Sequence, residues 1–197
     1  MEDRQSFIAN ARREQIIKAA IEVLKEIGYV KTSLAKIAQK AKISTGLISY
    51  HFSGKEDLMN NTLMYLVEKE WVFINERVAQ KQSSTDKLIA FIEAGLAYQV
   101  TNKTNNIALI EIVFNARTPD DTPYYLLEDD EDDMKQSLLL DILSQGQESK
   151  EFTNFDPRVI TTVIQGAISE SMFTFQNNIS IEQYNEKLTE SILKIVK

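Results

Sequence analysis

The sequence predicts an all-α protein of about nine helices, with a small three-helix head over residues 1–55 and a larger helical body over residues 56–197. Three observations carry this. Apolar residues recur at i, i+3, i+4 and i+7 along most of the chain, with no strand-like alternation and no internal repeat. Gly and Pro are scarce, 6 and 3 of 197 residues, which suits helices joined by short turns. The charge is divided: residues 4–55 carry a net +7 and residues 56–197 a net −12 within an overall −7, so the two parts are expected to meet different partners.

The elements follow in order. Arg12 to Gly28 places Ile16, Ala20, Val23, Leu24 and Ile27 at helical spacing, with Lys18, Glu22, Lys25 and Glu26 outward. Gly28 suits a helix end in the left-handed region. Thr32 or Ser33 can cap a second helix carrying Leu34, Ile37, Ala38 and Ala41. Lys42-Ile43 makes a tight connection, and Ser44 caps a short third helix from Thr45 to about His51, which Ser53-Gly54 ends. A long helix is expected from about Lys55 to Ala79, another over Asp86–Val100, and a buried one over Ile107–Phe114, apolar around nearly its whole circumference. Thr118–Pro123 reads as a loop. Helices follow over Met134–Ser149, from Pro157 to about Gln176 with Asp156 as cap and Pro at the first position, and over Ile181–Val196 behind Ser180.

Composition removes several function classes. Without Cys there are no disulfides, thiol nucleophiles or thiolate zinc sites, and a single His excludes His-pair metal motifs. No phosphate-cradling Gly loop or nucleophile motif is present. No stretch approaches a membrane span, and the start of the chain lacks a secretory apolar core. A cytoplasmic, non-enzymatic protein without cofactor or metal is the expectation. The alternatives from other classes are a helical protein-binding adaptor and a carboxylate-based enzyme that does not bind DNA.

The second and third helices, joined by a few residues, form a helix-turn-helix, whose second helix enters the DNA major groove. The segment Thr32-Ser-Leu-Ala-Lys-Ile-Ala38, followed by Ile43-Ser-Thr-Gly-Leu-Ile-Ser-Tyr-His-Phe-Ser-Gly-Lys-Glu-Asp-Leu58, closely resembles the head of the TetR family of transcriptional repressors. That resemblance spans about residues 10–62; residues 63–197 are similar only in helix layout and length. It implies a homodimer whose two heads bind a palindromic double-stranded operator and whose body binds a small-molecule effector that alters DNA affinity. It places Thr32 and Ser33 at phosphate, and Ser44, Thr45 and Gly46 where the recognition helix begins. Leu47 and Ser49 would face the bases, Tyr50 and His51 the phosphates and groove wall, and Lys55 a flanking phosphate. The chain departs from many members at Ser49, where an aromatic is common, and at Ala35, which cannot make a polar base contact.

In the body, Glu111 is the single charge in Ile107–Phe114 and is expected either at the solvent edge of its helix or beside a ligand cavity. Trp71, Phe114 and Phe173 join it as candidate ligand-binding residues. The acidic run Glu128–Asp133 reads as a solvated helix start, with a cation site as the sharper alternative. Apolar residues cover more than one face of the helix after Asp156 and stripe the last helix, so two helices from each subunit would build a four-helix dimer interface.

Overall fold

The computed structural model describes residues 2–127, 134–174 and 180–197; the acidic run 128–133 lies outside them. Among the described residues there are nine α-helices: α1 (Glu2–Lys31), α2 (Leu34–Ala41), α3 (Thr45–His51), α4 (Lys55–Val78), α5 (Ser84–Thr101), α6 (Lys103–Asn115), α7 (Met134–Glu148), α8 (Pro157–Thr174) and α9 (Ile181–Val196). A single 3-10 turn, Tyr124–Leu126, and an isolated bridge between Arg117 and Pro123 complete the regular structure. The chain folds as two compact units, Met1–Glu68 with Thr104–Glu128, and Lys69–Lys103 with Asp129–Lys197.

In the first unit, α1, α2, α3, the first half of α4 and α6 share one core. Ile16, Ala20 and Leu24 pack with Ile37, Ile48, Phe52, Leu58, Leu66, Ala108 and Ile112. The helical periodicity from Arg12 to Gly28 is therefore used as the spacing predicts, but α1 begins ten residues earlier, at Glu2. At Gly28 the backbone turns to φ 75°, ψ 168° and the chain adds one more turn to Lys31. A side chain there would be strained by its positive φ and would press a Cβ to 3.2 Å from Glu111 Oε2.

Helix α6 corrects one expectation. Its apolar run is not buried all round: Ala108 and Ile112 enter the core, whereas Phe114 is 63% exposed. Leu109 packs partly buried against the same core, and Phe114 instead stacks on Tyr125 outside it.

The second unit packs the rest of α4 with α5, α7, α8 and α9 around Ile74, Leu88, Phe91, Leu139, Leu143, Ile164, Ile168, Ile192 and Val196. Helix α5 starts at Ser84 rather than Asp86, capped by Ser83, whose hydroxyl accepts from Asp86 N–H at 3.0 Å. Glu151, after α7, adds a second cap by accepting from Ser84 and Thr85 N–H at 3.0 and 2.9 Å. Ser180 caps α9 as expected, and Gln183 closes a reciprocal capping box. Glu70, buried in α4, pairs with Lys135 Nζ at 3.1 Å.

Candidate nucleic-acid interface

The helix-turn-helix is built from local rules. Ser33 caps α2 by accepting from Lys36 N–H at 3.4 Å. Lys42 then takes the left-handed conformation, φ 57°, and Ile43 N–H returns to Ala38 carbonyl at 3.0 Å, so the connection is a tight helix stop. Ser44 opens α3 by accepting from Leu47 N–H at 3.2 Å. From the other side of the core, Gln15 Nε2 donates to Ala41 carbonyl at 3.0 Å.

Along α3 the alternation of buried and open residues is sharp. Ile48 is fully buried, Leu47 and His51 are half-buried, and Thr45, Gly46 and Ser49 are exposed. Tyr50 is 81% exposed with its ring edge-on to His51. Ser44, Thr45, Gly46, Ser49 and Tyr50 thus share an open surface, with Leu47 at its margin. A Cβ on Gly46 would meet only Ser44 Oγ, at 3.9 Å. Nothing inside the chain requires a glycine there, although glycine weakens a helix by roughly 0.5–1 kcal/mol relative to alanine.

Two residues expected at phosphate are engaged internally. Thr32 is buried and its hydroxyl donates to Gly28 carbonyl at 2.7 Å; its neighbour Ser33 is the exposed one. Lys55 directs its ammonium to Tyr29 carbonyl at 2.9 Å and over the Tyr29 ring at 4.2 Å. Burial there lowers the Lys55 pKa from its ordinary value.

Two residues absent from the sequence-derived set, Arg13 and Lys36, support this surface, together with Glu111, which the sequence marked as a ligand candidate. Arg13 donates to His51 carbonyl and, at 2.8 Å, to Asn61 Oδ1, with its guanidinium over the Phe52 ring. It fixes the end of α3 from a position 38 residues away. Lys36 Nζ donates to Lys31 carbonyl at 2.8 Å. Glu111 accepts from Tyr29 N–H at 2.8 Å. Glu111 is therefore half-buried and bonded to the backbone at the end of α1. Only its isolation in an apolar run marked it in the sequence; Arg13 carried no such mark.

The other ligand candidates are divided between the chain's two units. Phe114 stacks on Tyr125 in the first unit, with ring centroids 5.8 Å apart. Trp71, half-buried, and Phe173, exposed, belong to the second. A cleft of about 490 Å³ in the first unit is lined by Tyr29, Glu56, Asn115, Arg117, Thr118 and Pro119. A groove of about 280 Å³ in the second runs along Arg77, Lys81, Glu93 and Ala97. None of Glu111, Trp71, Phe114 and Phe173 lines either space.

Residues 16–62 match the model of the family described as bacterial regulatory proteins, tetR family. The HTH-type transcriptional regulator BetI of Burkholderia ambifaria is 34% identical over 84 residues, 42% of this chain and 43% of the relative; the match thus spans less than half the length of that relative. A bacterial regulatory protein in the tetR family from Rhodococcus RHA1 has the same fold, with a TM-score of 0.77 at 18% identity over 94% of this chain and 96% of its own. The transcriptional regulator FadR of Bacillus subtilis, solved in complex with stearoyl-CoA, has a TM-score of 0.73 at 23% identity over 92% and 96% of the two chains.

Proposed function

We propose that the chain is a ligand-responsive transcriptional repressor of the tetR family, a reading supported by the match of residues 16–62 to that family's model. Two heads of a homodimer bind a palindromic operator, and a small molecule bound in the body releases it. In this division residues 1–55 bind DNA and residues 56–197 bind effector and dimerise. The protein acts in the cytoplasm and is not an enzyme. Among the described residues no helix is long and apolar enough to cross a membrane, and the lone His lies in the head.

The observation that carries the reading is the open α3 surface with Gly46 at its centre. A glycine without an internal reason is accounted for by a close approach from outside, and a DNA backbone or base edge supplies one. Thr45, Leu47 and Ser49 read the groove, and Ser33, Ser44, Tyr50 and His51 meet phosphate and groove wall. Thr32 and Lys55 contribute by fixing the segments that dock, as their internal bonds suggest. The test is retention of random duplex DNA in a gel across a salt series. Binding that weakens steeply as salt rises is expected from phosphate contacts. Absence of retention at low salt would contradict the reading and favour an adaptor.

A further inference from the structure

Among the described residues, two buried side-chain polar atoms have no hydrogen-bond partner: Thr161 Oγ1 and Gln165 Nε2. Both sit on α8, four residues apart, so they lie on one face of the helix. Thr161 is 1% exposed. Buried polar groups are almost always satisfied, and each exception calls for a physical reason.

Helix geometry offers Thr161 an easy remedy. Other hydroxyls of this chain bond the carbonyl four residues back: Thr62 to Leu58, Thr101 to Ala97, Thr162 to Arg158 and Ser191 to Lys187, at 2.7–3.0 Å. Even Ser171, fully buried on the same helix, donates to Ile168 carbonyl. Thr161 does not take that route, and Gln165 beside it leaves a donor unmet.

We infer that Thr161 and Gln165 are hydrogen-bond donors to a carbonyl oxygen of a neutral, apolar small molecule held inside the second unit. The ligand class follows from the surroundings. Ile160, Ile164 and Ile168 flank the pair on α8 and belong to the core with Leu88, Phe91, Leu139 and Leu143, which calls for an apolar ligand body. A carbonyl oxygen has two lone pairs and accepts from a hydroxyl and an amide together. A carboxylate would be buried against two neutral dipoles without a cation, at high cost; the buried carboxylate of this unit, Glu70, already has Lys135 at 3.1 Å. This inference rests on the proposal that the body holds the effector, and it names the group of the effector that is recognised.

The experiment uses the full chain and the double variant T161V/Q165L, with a series of 2-alkanones from heptanone to tridecanone and the alkanoates of matching length. At least one alkanone is expected to raise the melting temperature of the unchanged chain, while its matching alkanoate does not. The double variant should bind that alkanone about 100-fold more weakly, roughly tenfold for each lost bond. Without ligand it should melt higher than the unchanged chain, because apolar groups of similar shape replace unmet polar ones. T161S, which keeps the hydroxyl, should retain binding and covers the case in which the double variant fails to fold. An alkanone series that shifts nothing, alkanoates that bind equally, or a T161V/Q165L chain that keeps its affinity would each overturn the inference. Random-DNA retention measured on the same preparations is independent: its loss contradicts the regulator reading, whatever the alkanones do.

Discussion

Gly46 and Glu111 show how single residues carry different kinds of information. At Gly46 the chain accepts a helix-weakening residue although its own packing leaves the Cβ position open. Gly46→Ala is therefore expected to stabilise the fold by roughly 0.5–1 kcal/mol in urea unfolding and, on the proposed function, to weaken DNA retention in the same preparation. A variant that is stabilised and binds DNA unchanged would remove the reason offered for this glycine. Glu111 does the opposite, since its value is internal: its carboxylate takes Tyr29 N–H at 2.8 Å beside the positive-φ Gly28. Glu111→Ala should cost about 1–3 kcal/mol, the range for a charge-assisted bond whose donor is left unmet. Glu111→Gln, which keeps an acceptor oxygen, should recover much of that loss, and paired urea midpoints will decide it.

At the scale of elements, helix ends set the boundaries, and not all their caps are local. The start of α5 is held by Ser83, its neighbour in sequence, and by Glu151, 67 residues from Ser84. The N–H groups of Thr85 and Ser84 hold the Glu151 carboxyl below its ordinary pKa. A depressed folded-state pKa stabilises the fold above the unfolded carboxyl's pKa, and that contribution is lost as pH falls through the folded value. Glu151→Gln should therefore narrow the stability gap to the unchanged chain as pH drops from about 5 to about 3, around the free-glutamate value. A gap that stays constant over that window, measured by thermal unfolding at each pH, would show that the cap does not depend on charge.

At the scale of the whole molecule, α8 and α9 carry apolar side chains that the single chain leaves uncovered. Val159, Val163 and Phe173 on α8 and Ile195 on α9 are large apolar residues left exposed, and a Cβ on Gly166 would meet nothing within 4 Å. These features motivate a homodimer built on the two helices. Val163, 44% exposed in the single chain, is the point to probe. Val163→Glu should leave the melting temperature of the monomer nearly unchanged, since the glutamate can reach water, and should convert a dimer to a 22.5 kDa monomer in light scattering, because a dimer would bury the charge unpaired. An equally stable dimer would place the interface elsewhere.

The sequence by itself determined the helices and the turn between α2 and α3. Periodicity, the caps at Ser33, Ser44 and Ser180, and the Pro157 start are short-range signals, complete within a few residues of the element they define. The exposure of Thr45, Gly46, Ser49 and Tyr50 on α3 was legible for the same reason: a seven-residue helix with one buried face leaves the rest outside. Only the tertiary structure decided where long side chains go and which apolar faces find a neighbour. Lys55 turns inward to Tyr29, Arg13 reaches His51 and Asn61, Glu111 and Glu151 bond backbone far away in sequence, and α6 leaves Phe114 exposed. Such choices depend on which element lies opposite. A flexible side chain can satisfy the same charge or donor in water or against a distant backbone group, and only the folded arrangement of elements selects between them.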